Sequence, residues 1–411
     1  MGNFVLGEHR QRNNRPRWPP DGWKALPADV PSLRRSAARQ VACAASLAPV
    51  RRVGSIIPTV RRNGTLVFRP SHTLQGADTP TSGVHPIPHM QNNESCSALE
   101  ARLRRGDFVV TVELLPPRGP SFDSIYPQLE VVKRHRLTVA AVNVTDNASA
   151  RVRVSGLAAC KVVIDEGLEP VFQVACRDRN RIAMQSDLLA ACAFGVRNVF
   201  CVTGDFVTFG DDPEAKPVYD LDSIQLLHVY NRIRQTGRLS SGVEVRETSR
   251  SELVTPKFFL GATENPFSDP VEVRVRRLHK KQQAGAQFIQ TQCIFDTDRM
   301  ERFMELVCEQ GLDKELHILG GIMPVKSHRP LEFIRDNIPG IRVPDALINR
   351  MKNAKNAEME GIEVAAETVE SLRSMSGVSG IHLMTVRWHA AIEHLLIRSG
   401  LTQTNELQPT P

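Results

Sequence analysis

The stretch "FVVTVELLPPRGP", residues 108–120, holds an apolar, β-branched run of the kind that fills a buried strand. One carboxylate, Glu113, stands inside the run, and a Pro-Pro-Arg-Gly break ends it. Seven similar runs follow. They are "TVAAVNVT" 138–145, "PVFQVAC" 170–176, "NVFCVTG" 198–204, "KFFLGA" 257–262, "QFIQTQ" 287–292, "LHILGGI" 316–322 and "GIHLMT" 380–385. Helical patterns fill most of the gaps: "DLLAACAFGV" precedes the fourth run, "DPVEVRVRRLHKKQQAGA" the sixth, and "DRMERFMELVCEQG" follows the sixth. A further helical stretch, 356–375, leads into the last run.

Strands alternating with helices predict parallel βαβ units, and near-continuous apolar strands predict a sheet covered on both faces. Eight such units in roughly 310 residues fit a (β/α)8 TIM-type barrel. The competing architecture is an open doubly wound sheet. No G-x-G-x-x-G follows the first strand, which weighs against a dinucleotide fold of that kind. Residues 237–256, long and polar, are expected to form an inserted loop.

Charge divides the chain. The net charge of +7 comes from residues 1–89, where 13 Lys and Arg face four acids, a net of +9. The remainder carries 39 bases and 41 acids, a net of −2, so the folded part shows no electrostatic footprint for nucleic acid. The basic segment also holds 11 of the 27 prolines and no sustained period, and is expected to be largely disordered. It reads as a flexible arm, a transit-like segment, or sequence upstream of the true start. Met90 precedes "QNNESCSALEARLRRGDFVVTVE", a cap and helix leading into the first strand, which favours the third reading. No run reaches the length of about 18 apolar residues that a membrane span needs. Eight scattered cysteines without C-x-x-C spacing suit reduced thiols and a cytoplasmic location. Cys176 and Cys201 are expected to be small buried packing residues. The histidines show no H-x-x-x-H or H-E-x-x-H spacing, so no metal is expected.

In a barrel the active site lies at the C-terminal ends of the strands. Polar residues gather there: Glu113, Thr145 and Asn147, Gln173, Thr203-Gly204-Asp205, Glu264-Asn265, Gln290 and Gln292. Any one alone would be an ordinary loop residue or a satisfied buried group. Their convergence from different strands reads as a site.

Several stretches taken together resemble the methylenetetrahydrofolate reductase family: "VTVELLPPRG", "LEPVFQVACRDRN", "NVFCVTGD", "KKQQAGAQFIQTQCIFD", "GGIMPV" and "GVSGIHLMTVRWHAAIEHLL". The resemblance covers residues 98–400, in the family's order and spacing. It implies an eight-stranded barrel holding FAD, which takes a hydride from NAD(P)H or another electron donor. The flavin then reduces 5,10-methylenetetrahydrofolate to 5-methyltetrahydrofolate in one-carbon metabolism. The acceptor is an iminium cation, and forming it requires protonation of N10 by a group still protonated near neutral pH. The family's general acid matches Glu113, where burial between Val112 and Leu114 would raise the pKa. The alternative for Glu113 is an ion pair with an arginine.

The resemblance further implies that Asp205 lies beside the flavin and stabilises the iminium, the alternative being a helix cap. It places cofactor contacts at Thr145, Asn147, Gln173, Thr203, Gly204, Tyr219, Ala262 and Lys281, and folate contacts at Gln292 and Phe333. Lys281 reads equally as one base on a solvated helix face. Three positions depart from the better-known bacterial pattern. Thr203 replaces an arginine, Gln173 a histidine, and "GATENPF" a tyrosine-bearing segment. The branch carrying "QVACRDRN", "TGD" and "ENPF" implies a possible accessory reductase subunit, and a homo-oligomer is expected. Two other functions remain open at this point: a pterin-binding barrel without flavin that serves methyl transfer or acts as a non-catalytic partner subunit, and a related flavin reductase acting on another pterin or in the oxidative direction. N-terminal sequencing of natively expressed protein should begin at Met90; a start at Met1 would sink the upstream-sequence reading.

Overall fold

A computed structural model describes residues 95–402, apart from residue 339. The predicted arm, 1–89, lies outside the described residues, as does most of the C-terminal "GLTQTNELQPTP". Eight parallel strands close into a barrel in sequence order. They are β1 Val109–Leu114, β2 Val139–Val144, β3 Pro170–Ala175 and β4 Asn198–Val202. β5 Phe259–Glu264, β6 Phe288–Cys293, β7 His317–Ile322 and β8 Val378–Leu383 complete it, with β8 pairing back onto β1. The open doubly wound alternative is excluded. The predicted helices form at Arg181–Ala193, Val271–Gln283, Thr297–Glu309 and Ala357–Ser374. No helix of the described residues is long and apolar enough to cross a membrane.

Strand alternation assigns each side chain to a layer. Val110, Val112, Leu114, Val142, Val144, Leu260 and Ala262 pack outward against the helices. Val109, Ala141, Val171, Phe200, Phe259, Phe288 and Leu319 fill the lower interior. The helix Ala98–Arg104 closes that end by inserting Leu99 and Leu103 into the same cluster. Its N-terminus is held by Ser97, whose hydroxyl accepts from the Glu100 amide, and by Glu169. The Glu169 carboxylate accepts from the amides of Ala98 at 2.7 Å and Leu99 at 2.9 Å. The cap and helix expected after Met90 therefore form a floor for the barrel.

Residues 237–256 contain no helix or ladder strand, only the isolated antiparallel bridge Arg238–Glu244. They run from the helix Ser223–Thr236 to the start of β5, which places them on the face opposite the strand C-termini.

The floor depends on one missing side chain. Phe288 stacks on Phe259 with centroids 4.8 Å apart and planes 15° apart. A Cβ on Gly261 would lie 2.3 Å from the Phe288 ring. Gly261→Ala should therefore destabilise the protein by about 1–3 kcal/mol through overpacking. An unchanged urea midpoint would show that the Phe288 ring has room to move.

Candidate active site

Above the aromatic floor the interior turns polar. Thr111, Asn143, Gln290 and His382 are all at least 97% buried. Asn143 donates its amide to Gln290 Oε1 at 2.6 Å, and Gln290 donates to Thr111 Oγ1 at 3.3 Å. Thr111 Oγ1 shares a 3.0 Å hydrogen bond with His382 Nδ1. This chain spans β2, β6, β1 and β8, so buried polar groups satisfy one another across the barrel. Asn143 Oδ1 is left without a partner among the described residues, at the base of the chamber.

A cavity of about 390 Å³ opens above this layer at the strand C-termini. Glu113, Thr145, Gln173, Thr203, Gly204, Asp205, Lys281 and Gln292 all line it, so most of the residues singled out from sequence come together. Its size falls in the usual range for small-molecule sites, about 300–1,000 Å³.

Glu113 faces inward on β1, while its neighbours Val112 and Leu114 face the helices. Its burial therefore comes from the chamber and not from the flanking apolar side chains. No described residue hydrogen-bonds to its carboxyl group; His382 Nε2 lies 4.0 Å away. Burial pushes the carboxyl up to about 7, Arg153 pulls it down, and Asp205 adds to the rise. Burial also lowers His382 to about 3, so the imidazole is neutral and the 4.0 Å contact is not an ion pair. The expected arginine ion pair is likewise absent among the described residues. Arg153 acts at longer range, with its guanidinium donating to the Pro116 carbonyl at 2.8 Å.

Asp205 occupies a strained turn beside it. Gly204 has φ +92°, and a Cβ there would meet Arg177 Cβ at 3.0 Å. Arg177 is 2% exposed and supports the turn from below. It donates to the carbonyls of Asp205 at 3.2 Å and Asn147 at 3.1 Å, and forms a bidentate pair with Asp178, both bonds 2.7 Å. The Asp205 carboxylate accepts from the Ser149 amide at 2.7 Å, tying two mouth loops together and capping no helix of its own segment. Thr203 donates to Ser223 Oγ at 3.1 Å, at the start of the next helix.

The opposite wall is cationic. Arg274, Arg277 and Lys281 line the cavity from the helix Val271–Gln283. Lys281 is buried and engaged, pairing with Glu264 at 2.5 Å and donating to the Thr263 carbonyl. Burial lowers its pKa, and Glu264 opposes that. Arg274 and Arg277 form no ion pair among the described residues, and Arg274 Nε is buried without a partner. Here, where sequence reading saw only Lys281, two arginines offer the free positive charge.

Four of the residues singled out from sequence lie outside the cavity lining. Ala262 is fully buried in the outer layer between barrel and helices, because Gly261 and Thr263 take the inward phase of β5. Phe333 is 60% exposed on the helix His328–Asn337. Asn147 and Tyr219 belong to the support around the turn: Asn147 donates to Asp178 at 3.2 Å, and the Tyr219 hydroxyl donates to the Asp205 carbonyl at 3.4 Å. Sequence reasoning missed Asn143, His382, Arg153, Arg177, Arg274 and Arg277 as site residues. Asn143 and His382 carried the same signal as Glu113, a polar residue on the inward phase of an apolar strand. Cys176 and Cys201 are fully buried free thiols, as expected.

A closed parallel barrel with a charged cavity at its C-terminal mouth is the architecture on which (β/α)8 enzymes build their sites. A profile of the methylenetetrahydrofolate reductase family matches residues 98–400, and the chain belongs to that family. The 5,10-methylenetetrahydrofolate reductase of Salmonella typhimurium is 24% identical over 323 residues, covering 76% of this chain and 99% of that enzyme. The enzyme of the same name from Pectobacterium carotovorum is 23% identical over 300 residues, covering 72% of this chain and 89% of that one. A solved Clostridium thermocellum protein, described as binding two copies of 5-methyl-5,6,7,8-tetrahydrofolic acid, superimposes with a TM-score of 0.51. It is 14% identical and covers 74% of this chain and 98% of its own, a likeness of fold.

The raised pKa of Glu113 has a consequence for stability. The folded protein holds this proton more tightly than the unfolded chain, so the contribution of Glu113 is lost as pH rises through about 7. Glu113→Gln should therefore gain melting temperature over the wild type at pH 8, with a smaller difference at pH 5. A gap independent of pH would mean that Glu113 is not titrating in this range.

Proposed function

We propose that the chain reduces 5,10-methylenetetrahydrofolate to 5-methyltetrahydrofolate with FAD as cofactor, and that Glu113 is the general acid. The observation that carries this is the inward carboxyl of Glu113, unbonded and pushed up to about 7 by burial at the head of a polar chamber. A proton held at that strength is available to N10 near neutral pH. The neutral imidazole of His382 does not pull that proton away as a stronger base would.

Asp205 completes the electrostatics. Its carboxylate is close enough to raise Glu113, and it favours the cationic iminium that follows ring opening. Gln290 and Gln292 present neutral amides, suited to a pterin edge that mixes donors and acceptors.

The residues present fit a flavin dinucleotide. Gly204 leaves room where a Cβ would crowd the turn, and Arg274 brings an unpartnered buried Nε to the wall. Thr145, Gln173, Thr203 and Gly204 would hold the cofactor, with Arg274 and Arg277 giving the charge that Thr203 does not. When bound, FAD supplies hydride transfer from a reduced nicotinamide or another donor to the folate.

A barrel that only binds the pterin is the competing reading, favoured by the engagement of Lys281 with Glu264. Half-reactions separate the two. With Glu113→Gln, bound flavin should still be reduced by the donor at near wild-type rate, while folate reduction falls by about 10²–10⁴-fold, the usual weight of a positioned acid. Folate reduction surviving in that variant would remove Glu113 from the role, and colourless protein without affinity for FAD would support the pterin-binding barrel.

A further inference from the structure

The loop after β2 holds three of the six non-glycine residues with positive φ among those described: Asn147 (φ 45°), Ser149 (φ 58°) and Ala150 (φ 54°). A fourth, Tyr219 (φ 39°), lies in the loop after β4. Left-handed backbone is costly for such residues and persists where the surrounding structure over-determines it. Here the surroundings converge on one side chain, that of Arg177.

Arg177 opens the stretch "RDRN", 177–180, which interlocks with "TDN", 145–147, on the neighbouring loop. Its Nη2 donates to the Asn147 carbonyl at 3.1 Å, and its Nη1 to the Asp205 carbonyl at 3.2 Å. Its Nε and Nη2 grip the Asp178 carboxylate, which accepts in turn from the Asn147 side chain at 3.2 Å. Two residues on, Arg179 pairs with Asp146, whose carboxylate also accepts from the Ala175 amide at 2.9 Å. The Arg177 backbone takes part as well, its carbonyl accepting from the Val218 amide at 2.8 Å. One buried side chain therefore ties together the loops after β2, β3 and β4.

Asp205 is fixed at both ends by this clasp. Its carbonyl accepts from Arg177 and, at 3.4 Å, from the Tyr219 hydroxyl. Its carboxylate accepts from the Ser149 amide at 2.7 Å, inside the left-handed run. Arg177 thus acts on Asp205 twice. It holds the carbonyl directly, and through Asn147 it holds the strained turn that presents Ser149. Four hydrogen bonds within the clasp and the facing charge of Asp178 commit Arg177 to its neighbours and not to a ligand.

We propose that Arg177 is a positioning residue for the folate half-reaction, acting through Asp205 by holding that carboxylate where the cation of the opened folate ring develops. This rests on the folate reading of the site. An electrostatic stabiliser works because it is oriented before the charge appears, and a carboxylate free to swing toward water loses that advantage. Lysine cannot stand in for the arginine, because an ammonium has three donors and no planar fork.

The test joins rapid-mixing half-reactions to amide hydrogen exchange on the full-length protein. In Arg177→Lys, folate reduction by the reduced flavin should slow about 10–100-fold relative to the donor step, as expected for a misplaced group. Arg177→Lys/Asp205→Asn should be no slower in the folate step than Asp205→Asn alone, because residues acting as one unit are not additive. Without FAD, peptides covering 147–152 should exchange faster in Arg177→Lys, while β5, β6 and β7 exchange as in the wild type. If Arg177→Lys fails to fold, Asp178→Asn weakens only the grip on the guanidinium, from a side chain that is 32% exposed. It should show the same signs to a smaller degree. An unchanged folate step, or additive slowing in the double variant, would overturn the proposal. Faster exchange throughout the barrel would reduce Arg177 to general stability and overturn it too. Lost FAD affinity with the ratio of the half-reactions unchanged would make Arg177 a cofactor ligand instead. Wild-type protein that bound FAD and left folate unreduced would sink the folate reading and this role with it. Unchanged exchange at 147–152, with folate reduction intact in the wild type, would overturn the clasp alone.

Discussion

The hydrogen-bonded chain from Asn143 through Gln290 and Thr111 to His382 governs what the barrel can hold. A closed eight-stranded barrel has a filled interior, and any polar group placed in it must find its partner inside. Four strands each contribute one member, so the chamber floor is polar without being charged. An ionised residue in this layer would attract or repel the acid above it. Because His382 stays neutral, the carboxyl of Glu113 feels mainly its own loss of water. The Phe259–Phe288 stack beneath completes the exclusion of solvent from below.

Around that axis the mouth is built by arginines in two manners. Arg177 is wholly committed, with its donors spent on Asp178 and on two carbonyls, and it acts as a buried brace for the Gly204-Asp205 turn. Removing one partner from such a network leaves a buried charge uncompensated, which costs several kcal/mol in typical cases, about 3–5. Arg153, Arg274 and Arg277 are instead incompletely used. The contrast is between guanidinium groups whose donors hold the scaffold and groups that keep donors to spare.

All eight strands could be read to within two residues at each end, because each is an apolar run bounded by turn chemistry, and the order of the runs left few topologies open. The inward position of Glu113 was also legible, since an acid in an apolar run has to face something polar. What could not be read was phase where both faces are apolar. Gly261 and Ala262 belong to one run, and only the closed sheet shows that Ala262 faces outward. Loop arginines were illegible for another reason. Arg153 and Arg177 look like solvated residues in sequence, and their burial follows from loops after different strands meeting at the mouth. The Lys281–Glu264 pair joins a helix to a strand end, 17 residues apart, with no periodic signal to announce it.

The segment 237–256 returns to β5 on the face remote from the cavity, held by a bridge, backbone hydrogen bonds, the Ser240 amide on Gln185, and Leu239 and Val245 packed on the core. Closing a longer loop there costs entropy only in proportion to the logarithm of its length. Insertions or deletions in this stretch would leave the cavity-bearing ends of the strands where they are. Over evolutionary time it is the place where the chain can lengthen, shorten or acquire a new binding epitope while the chemistry at the other end of the barrel is inherited unchanged.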